Sequence, residues 1–129
     1  MMIRNQLSVF LENRVGCLNE ITRILAEAGI NLEALTIAES TDYGVLRIIT
    51  EDESKAVEIL RQNHYIVSVA PVLMVEVSNQ PGGLHAVLDK IAKANVDVKY
   101  MYSIHGEKNG AAYMIFRVDS PEELETVLN

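Results

Sequence analysis

The chain has 129 residues, of which 49% are hydrophobic and 22% are charged, a balance typical of a globular protein rather than a disordered one. Its formal net charge of −7 argues against a basic nucleic-acid-binding surface, and no apolar stretch approaches the roughly 20 residues that span a bilayer. The N-terminus lacks a signal-peptide core and the chain holds one cysteine, so we expect a cytoplasmic protein without an intrachain disulfide.

The first half of the chain predicts the order strand, helix, strand, strand, helix, strand. Residues 6–12 alternate as a half-buried strand does, and Gly29 stands where a helix commonly ends on a left-handed residue. The predicted elements are a strand over 6–12, a helix to about 28, strands over 32–39 and 45–50, a helix over about 53–63, and a strand over 65–70. Pro71 is predicted to separate this last strand from the next one.

The second half repeats this order, and one loop occurs in both halves, 66 residues apart. We call residues 13–18, which read Asn-Arg-Val-Gly-Cys-Leu, the first loop, and residues 79–84, which read Asn-Gln-Pro-Gly-Gly-Leu, the second loop. Each loop follows an apolar strand pattern and precedes a helical one. Internal repeats of this kind indicate two copies of one structural unit.

The end of the second half differs from the end of the first. A longer hairpin turn is predicted over 105–110, and Ser120-Pro121-Glu122-Glu123 is a capping box that begins a helix. The sequence then ends before a counterpart of the fourth strand, so the second unit is predicted to lack its last strand. We expect either that the exposed edge of residues 72–77 is filled by another unit or protomer, or that the chain is a truncated product.

This order of elements is that of an α+β protein with two ferredoxin-like βαββαβ units in tandem. Each unit has an antiparallel sheet with its helices on one face. We place the units at residues 1–70 and 71–129. Because this fold supports many functions, the loops must carry the functional argument.

The element order and the repeated loop together resemble the ACT domain family, over residues from Leu7 to Leu128. The second loop is similar to the family's usual Asp/Asn-x-Pro-Gly-x-Leu. The pairs Asn31-Leu32 and Asp97-Val98 resemble the polar–apolar pair that opens the family's second strand. ACT domains are small regulatory modules that bind amino acids, so the resemblance implies a ligand site at the loops.

Elementary chemistry also favours ligand binding at the loops. Gly16 and Gly82 can expose main-chain N–H groups at a helix N-terminus, which favours a carboxylate, and Asn13 and Asn79 offer both a donor and an acceptor. The candidate ligand-binding residues are Asn13, Arg14, Val15, Gly16, Cys17, Leu18, Asn31 and Leu32 in the first unit, and Asn79, Gln80, Pro81, Gly82, Gly83, Leu84, Asp97 and Val98 in the second. Pro81 makes the second loop the better organised of the two.

Structural interpretations stand beside these. The glycines also suit a tight turn, Cys17 also suits a small buried hydrophobe, and Arg14 is equally explained as a solvated loop residue. The three histidines lack the paired spacing of metal sites, so we predict no metal. We also predict no cofactor and no catalytic residue. Alternation of Tyr100, Tyr102, Tyr113 and Ile115 predicts an apolar sheet face, which favours a homodimer.

Three functions follow from these patterns. The first is a stand-alone regulatory protein that binds an amino acid between ACT units. The second is a regulatory or structural subunit of a metabolic enzyme, similar to the acetolactate synthase small subunit, acting by protein contact. The third is an acylphosphatase-like enzyme, which Arg14 and Gly16 superficially fit, although the loop is shorter. Amino-acid thermal shifts and an acyl-phosphate assay separate these alternatives.

Overall fold

The computed structural model describes residues 1–12, 14–39, 42–104 and 111–129. Its elements are β1 (Met2–Glu12), α1 (Cys17–Glu27), β2 (Leu32–Glu39), β3 (Tyr43–Thr50), α2 (Glu53–Gln62), β4 (Val67–Ser78), α3 (Gly83–Lys93), β5 (Tyr100–Ser103), β6 (Ala111–Arg117) and α4 (Pro121–Leu128). The predicted α+β fold of tandem ferredoxin-like units is confirmed. The predicted turn over 105–110 lies outside the described residues. None of the described helices is long and apolar enough to cross a membrane.

The first compact unit, which we call the first unit, comprises Asn5–Ala70. Its strands lie in the order β2-β3-β1-β4, and β3 pairs antiparallel with both β1 and β2. The alternation of β1 places every second residue on the helix-facing side of the sheet. The core of this unit contains Leu7, Val9, Leu11, Ile21, Leu25, Leu46, Ile48 and Leu60.

The second compact unit, which we call the second unit, comprises Pro71–Asn129 together with Met1–Arg4. Its strands lie in the order β1-β4-β6-β5, and β6 pairs antiparallel with both β4 and β5. Its core contains Leu73, Val75, Val77, Ile91, Phe116, Val118 and Leu124.

The fourth strand that the second half of the sequence does not encode is supplied by β1. β1 begins at Met2, and its residues up to Arg4 belong to the second unit, where β1 lies beside β4. Ile3 packs against the core of that unit. The edge that we expected to require another unit or protomer is therefore filled by the start of the same chain, which satisfies backbone groups that an open edge exposes.

The predicted break at Pro71 is wrong, because β4 runs without interruption from Val67 to Ser78. A proline is tolerated in a strand where the ladder does not need its missing N–H group. The described pairing of β4 with β6 begins at Leu73, two residues beyond Pro71, and Pro71 itself is exposed.

Three helices end on a residue in the left-handed conformation. The φ angle is +74° at Gly29 after α1, +68° at His64 after α2 and +57° at Asn95 after α3. In each case the backbone N–H of the next residue reaches back to a carbonyl of the last turn, as Ile30 does to Leu25 at 2.9 Å. Each of these bonds satisfies a carbonyl group that a helix end leaves free.

The predicted tyrosine face is already partly covered within the chain. Tyr102 lies opposite Ile115 in the β5–β6 ladder, and Ile115 is fully buried. The rings of Tyr100 and Tyr102 stack with their centroids 6.4 Å apart, and both residues, like Tyr113, are half-buried.

Candidate functional site

The first loop leads from β1 into α1 through a glycine in the left-handed conformation. Gly16 has φ +87° and stands at the N-terminus of α1, which begins at Cys17. The backbone N–H of Arg14 donates to the carbonyl of Glu12 at 2.8 Å. Val15 is fully exposed, and Asn13 lies outside the described residues. The turn therefore presents the side chain of Arg14 beside the first turn of α1.

Arg14 belongs to a polar network of four side chains. Its guanidinium lies 3.4 Å from a carboxylate oxygen of Glu12 and 3.5 Å from one of Glu20, and it donates to the hydroxyl of Tyr65 at 3.4 Å. That hydroxyl in turn donates to the other carboxylate oxygen of Glu20 at 2.6 Å. Each charged member is partly open to solvent, so the network can exchange one of its partners for a ligand.

Hydrogen bonding and burial fix the protonation states in this network. The bond from Tyr65 lowers the pKa of Glu20, and the nearby guanidinium of Arg14 acts in the same direction. Burial, followed by the bond to Glu20, raises the pKa of Tyr65. At neutral pH the site therefore holds an anionic Glu20, a neutral Tyr65 that donates a hydrogen bond, and a cationic Arg14.

These residues border a cavity of about 210 Å³. The cavity is lined by Phe10, Glu12, Arg14, Glu20, Asn63, His64, Tyr65 and Ile66. Of these, only Arg14 was singled out as a binding residue from the sequence. Glu20 and Tyr65 are 45 residues apart, and no local motif connects the start of α1 with the turn after α2. This cavity, with its lining, is the candidate site.

The remaining candidates of the first unit have structural positions. Cys17 is buried, and its Sγ lies 4.0 Å from the hydroxyl of Tyr65. Leu18 and Leu32 pack against the core of the unit, and Asn31 is exposed just before β2. Asn31 and Leu32 follow the far end of α1, a helix of 11 residues and so about 16 Å long. The fold therefore separates this pair from the first loop of the same unit.

The second loop repeats the backbone of the first but not its side chains. Gly82 has φ +85° and stands at the N-terminus of α3, as Gly16 does at α1. Asn79, Gln80 and Pro81 are exposed, and Leu84 packs against the core of the second unit. Gln80 and Ala86 occupy the places of Arg14 and Glu20 in the repeat. The charged pair of Arg14 and Glu20 is thus replaced by uncharged residues in the second unit.

Gly83 has a structural role in the second loop. Its N–H donates to the carbonyl of Gln80 at 2.9 Å. A Cβ atom at this position would lie 1.9 Å from the carbonyl oxygen of Ser78, a distance that no side chain tolerates. The close approach of two backbone segments therefore requires glycine here.

The pair Asp97-Val98 precedes β5 rather than opening it, because β5 begins at Tyr100. Asp97 is exposed and accepts a hydrogen bond from Lys99 at 3.0 Å, and this bond raises the pKa of Lys99. Val98 packs against the core of the second unit. Within the described ranges, no three His, Cys, Asp or Glu residues are grouped so that they could hold a metal ion.

Comparison with protein families and curated sequences identifies relatives of this chain. A family model described as an ACT domain pair matches residues 1–129. The acetolactate synthase isozyme 3 small subunit of Escherichia coli K12 is 34% identical over 73 residues, which cover 54% of this chain and 45% of that subunit. The acetolactate synthase small subunit of Haemophilus influenzae is 32% identical over 74 residues, covering 55% and 45%. The match thus spans about half the length of these relatives.

Solved structures give matches over nearly the whole chain. A protein from Bacteroides thetaiotaomicron superposes with a TM-score of 0.90 and 40% identity, over 98% of this chain and 87% of that one. The regulatory subunit of aspartate kinase from Thermus thermophilus, in its ligand-free form, superposes with a TM-score of 0.69 over 98% and 95%. Its identity is 12%, so this second likeness concerns the fold alone.

Proposed function

The chain belongs to the ACT domain pair family, and from this premise we propose that it is a regulatory protein that binds an amino acid at the cavity of its first unit. The observation that carries the proposal is the convergence of Arg14, Glu20 and Tyr65 beside a cavity of about 210 Å³. Opposite charges next to one small cavity suit an amino-acid zwitterion, whose ammonium and carboxylate groups are attached to the same carbon.

Each polar group of the site has a role in this proposal. The guanidinium of Arg14 and the first turn of α1 bind the α-carboxylate, because both favour an anion. The carboxylates of Glu20 and Glu12 accept hydrogen bonds from the ammonium group. Tyr65 holds Glu20 in place through its bond of 2.6 Å. In this proposal Asn13 adds a donor and an acceptor from the first loop, and the second loop offers a second, backbone-based site around Gly82.

Calorimetric titration of the chain with the twenty amino acids tests this function. We expect saturable binding of at least one amino acid, and we expect Arg14→Gln, which introduces the residue of the second loop, to weaken it about tenfold or more. Arg23→Gln is the matched control, because Arg23 lies on α1 in an exposed pair with Glu27. Equal affinity in both variants would contradict this assignment of the site.

The similarity to acetolactate synthase small subunits supports a second candidate, regulation of a metabolic enzyme by protein contact. The test adds the chain to a purified acetolactate synthase catalytic subunit and measures its activity with and without amino acids. A change in activity supports the subunit interpretation, and no change at a saturating concentration of the chain contradicts it.

We also propose that the protein is cytoplasmic and forms a homodimer.

A further inference from the structure

The turn between α2 and β4 forms a wall of the candidate cavity that the loop motif does not include. Asn63, His64, Tyr65 and Ile66 follow one another in this turn, and all four line the cavity. Tyr65 belongs to the polar network, whereas the roles of His64 and Ile66 are not explained by it. We call residues 63–66 the turn wall.

The backbone of the turn wall holds His64 in a conformation that suits other residues better. The N–H of His64 donates to the carbonyl of Arg61 and that of Tyr65 to the carbonyl of Leu60, both at 3.0 Å. At the matching positions after α1 and α3, the left-handed residues are Gly29 and Asn95. Glycine and asparagine adopt this conformation more readily than histidine does. An unfavourable conformation kept at a cavity points to a use for the side chain.

The same cavity has an apolar lining that is open to solvent. Ile66 is 68% exposed and Phe10 is 43% exposed, whereas Val9 and Leu11, the neighbours of Phe10 in β1, are buried. The ring of Phe10 packs against that of Tyr43, with the ring centroids 5.4 Å apart. The backbone N–H of Phe10 donates to the carbonyl of Ile66 at 3.1 Å. These two side chains are therefore held together at the cavity.

We infer that the turn wall recognises the side chain of the bound amino acid and that this side chain is apolar. The inference rests on the proposed function, in which Arg14 and Glu20 bind the carboxylate and the ammonium group. The rest of the ligand then lies against the remaining lining, where Ile66 and Phe10 offer apolar surface. Burying that surface against an apolar side chain removes both from water, whereas a polar side chain would lose its hydrogen bonds to water.

Pairs of amino acids with similar shape test the chemical class of the ligand. Valine is compared with threonine, and leucine with asparagine, by calorimetry on the full chain. We expect the apolar member of at least one pair to bind about tenfold more tightly. Equal affinity within both pairs, or preference for the polar member, would overturn this inference and leave the proposed function standing. No binding by any amino acid would overturn both.

Two pairs of variants test the turn wall itself. Ile66→Thr should weaken binding of the preferred apolar ligand about tenfold and that of alanine much less. Val69→Thr is its control, because Val69 is an exposed β4 residue that is not in the cavity lining. Unchanged affinity for the apolar ligand in Ile66→Thr would overturn the role of Ile66.

His64→Gly should raise the melting temperature and weaken ligand binding at least fivefold. Asn95→Gly, at the matching position after α3, should leave binding unchanged. His64→Gly with a raised melting temperature and full affinity would show that His64 only ends the helix, which would overturn its role in recognition.

Discussion

Cys17 and Gly83 occupy the same place in the two repeats, and their surroundings differ. Cys17 is buried, and its Sγ lies 4.0 Å from the hydroxyl of Tyr65. At Gly83 the backbone of Ser78 comes so close that even a Cβ atom would overlap it. The position thus holds a buried thiol beside the Tyr65 hydroxyl in one repeat and makes a close backbone contact in the other.

This difference predicts a large loss of stability from Gly83→Ala. We expect about 3 kcal/mol or more, because the added methyl group meets backbone that must move. Gly82→Ala is the control: its Cβ meets no atom within 4 Å, so only the left-handed backbone conformation opposes it, at about 1 kcal/mol. Urea unfolding of both variants measures the difference. Equal losses would contradict the described turn.

The bond between Tyr65 and Glu20 predicts a pH-dependent stability. Folding lowers the pKa of Glu20, so its carboxylate stabilises the folded state above its unfolded-state pKa, and this stabilisation is lost as the pH falls through the folded-state pKa. Tyr65→Phe should therefore lower the free energy of unfolding at pH 7. The difference from the wild type should shrink below about pH 4.

Urea unfolding at several pH values between 3 and 7 measures this effect. Glu20→Gln is the matched variant, since it removes the titrating group and should remove the contribution of this carboxylate to the pH dependence of stability in the same window. A loss of stability in Tyr65→Phe that stays constant across this range would mean that the phenol stabilises the fold by packing and not through Glu20.

Among the elements, β1 contributes to the cores of both compact units. Residues 5–12 belong to the first unit, and Met1–Arg4 complete the sheet of the second. The side chain of Ile3 packs against the second core, whereas Met2 is 51% exposed. The first residues of the chain are therefore part of the fold rather than a free terminus.

Shortening Ile3 should destabilise the second unit. We expect Ile3→Ala to reduce the free energy of unfolding by about 1–2 kcal/mol, less than for a fully buried isoleucine because Ile3 is only partly buried. Met2→Ala should have an effect below about 0.5 kcal/mol. Hydrogen exchange of amides in β4 and β6 measures the change locally. Equal protection in both variants would contradict the assignment of β1 to the second unit.

The elements that sequence patterns predicted well are those with strong local signals. The capping box at Ser120 begins α4 as expected, with its Oγ accepting from the N–H of Glu123 at 3.3 Å, and Gly29 ends α1. The start of β1 and the continuity of β4 were missed, because both depend on pairing between distant segments. The partners of Arg14 at the site were missed for the same reason: Tyr65 is 51 residues away.

At the scale of the whole molecule, the two units share a fold but differ in polar chemistry. Backbone geometry alone favours the second loop, with its proline and two glycines. The charged and phenolic side chains, however, lie at the first loop. Because recognition of a zwitterion depends on charged hydrogen bonds, we expect the first unit to bind the amino acid more tightly.

The proposed homodimer is tested by sedimentation. The tyrosine face of the second unit is half-buried within one chain, and a partner that covers Tyr100, Tyr102 and Tyr113 would remove the rest of it from water. We expect a dimer at micromolar concentration and loss of exposure of these tyrosines in it. A stable monomer at that concentration, with this face open to solvent, would contradict the proposal.

In the proposed function an amino acid binds at the cavity between the first loop and the turn wall. It is tested most directly by two-dimensional amide NMR of the labelled chain titrated with each amino acid that binds. We predict saturable shifts of the amide signals, concentrated at residues 14–20 and 63–66. In Arg14→Gln these shifts should saturate only at a higher concentration of the amino acid. Shifts confined to residues 79–84, or no saturable shifts with any amino acid, would contradict it.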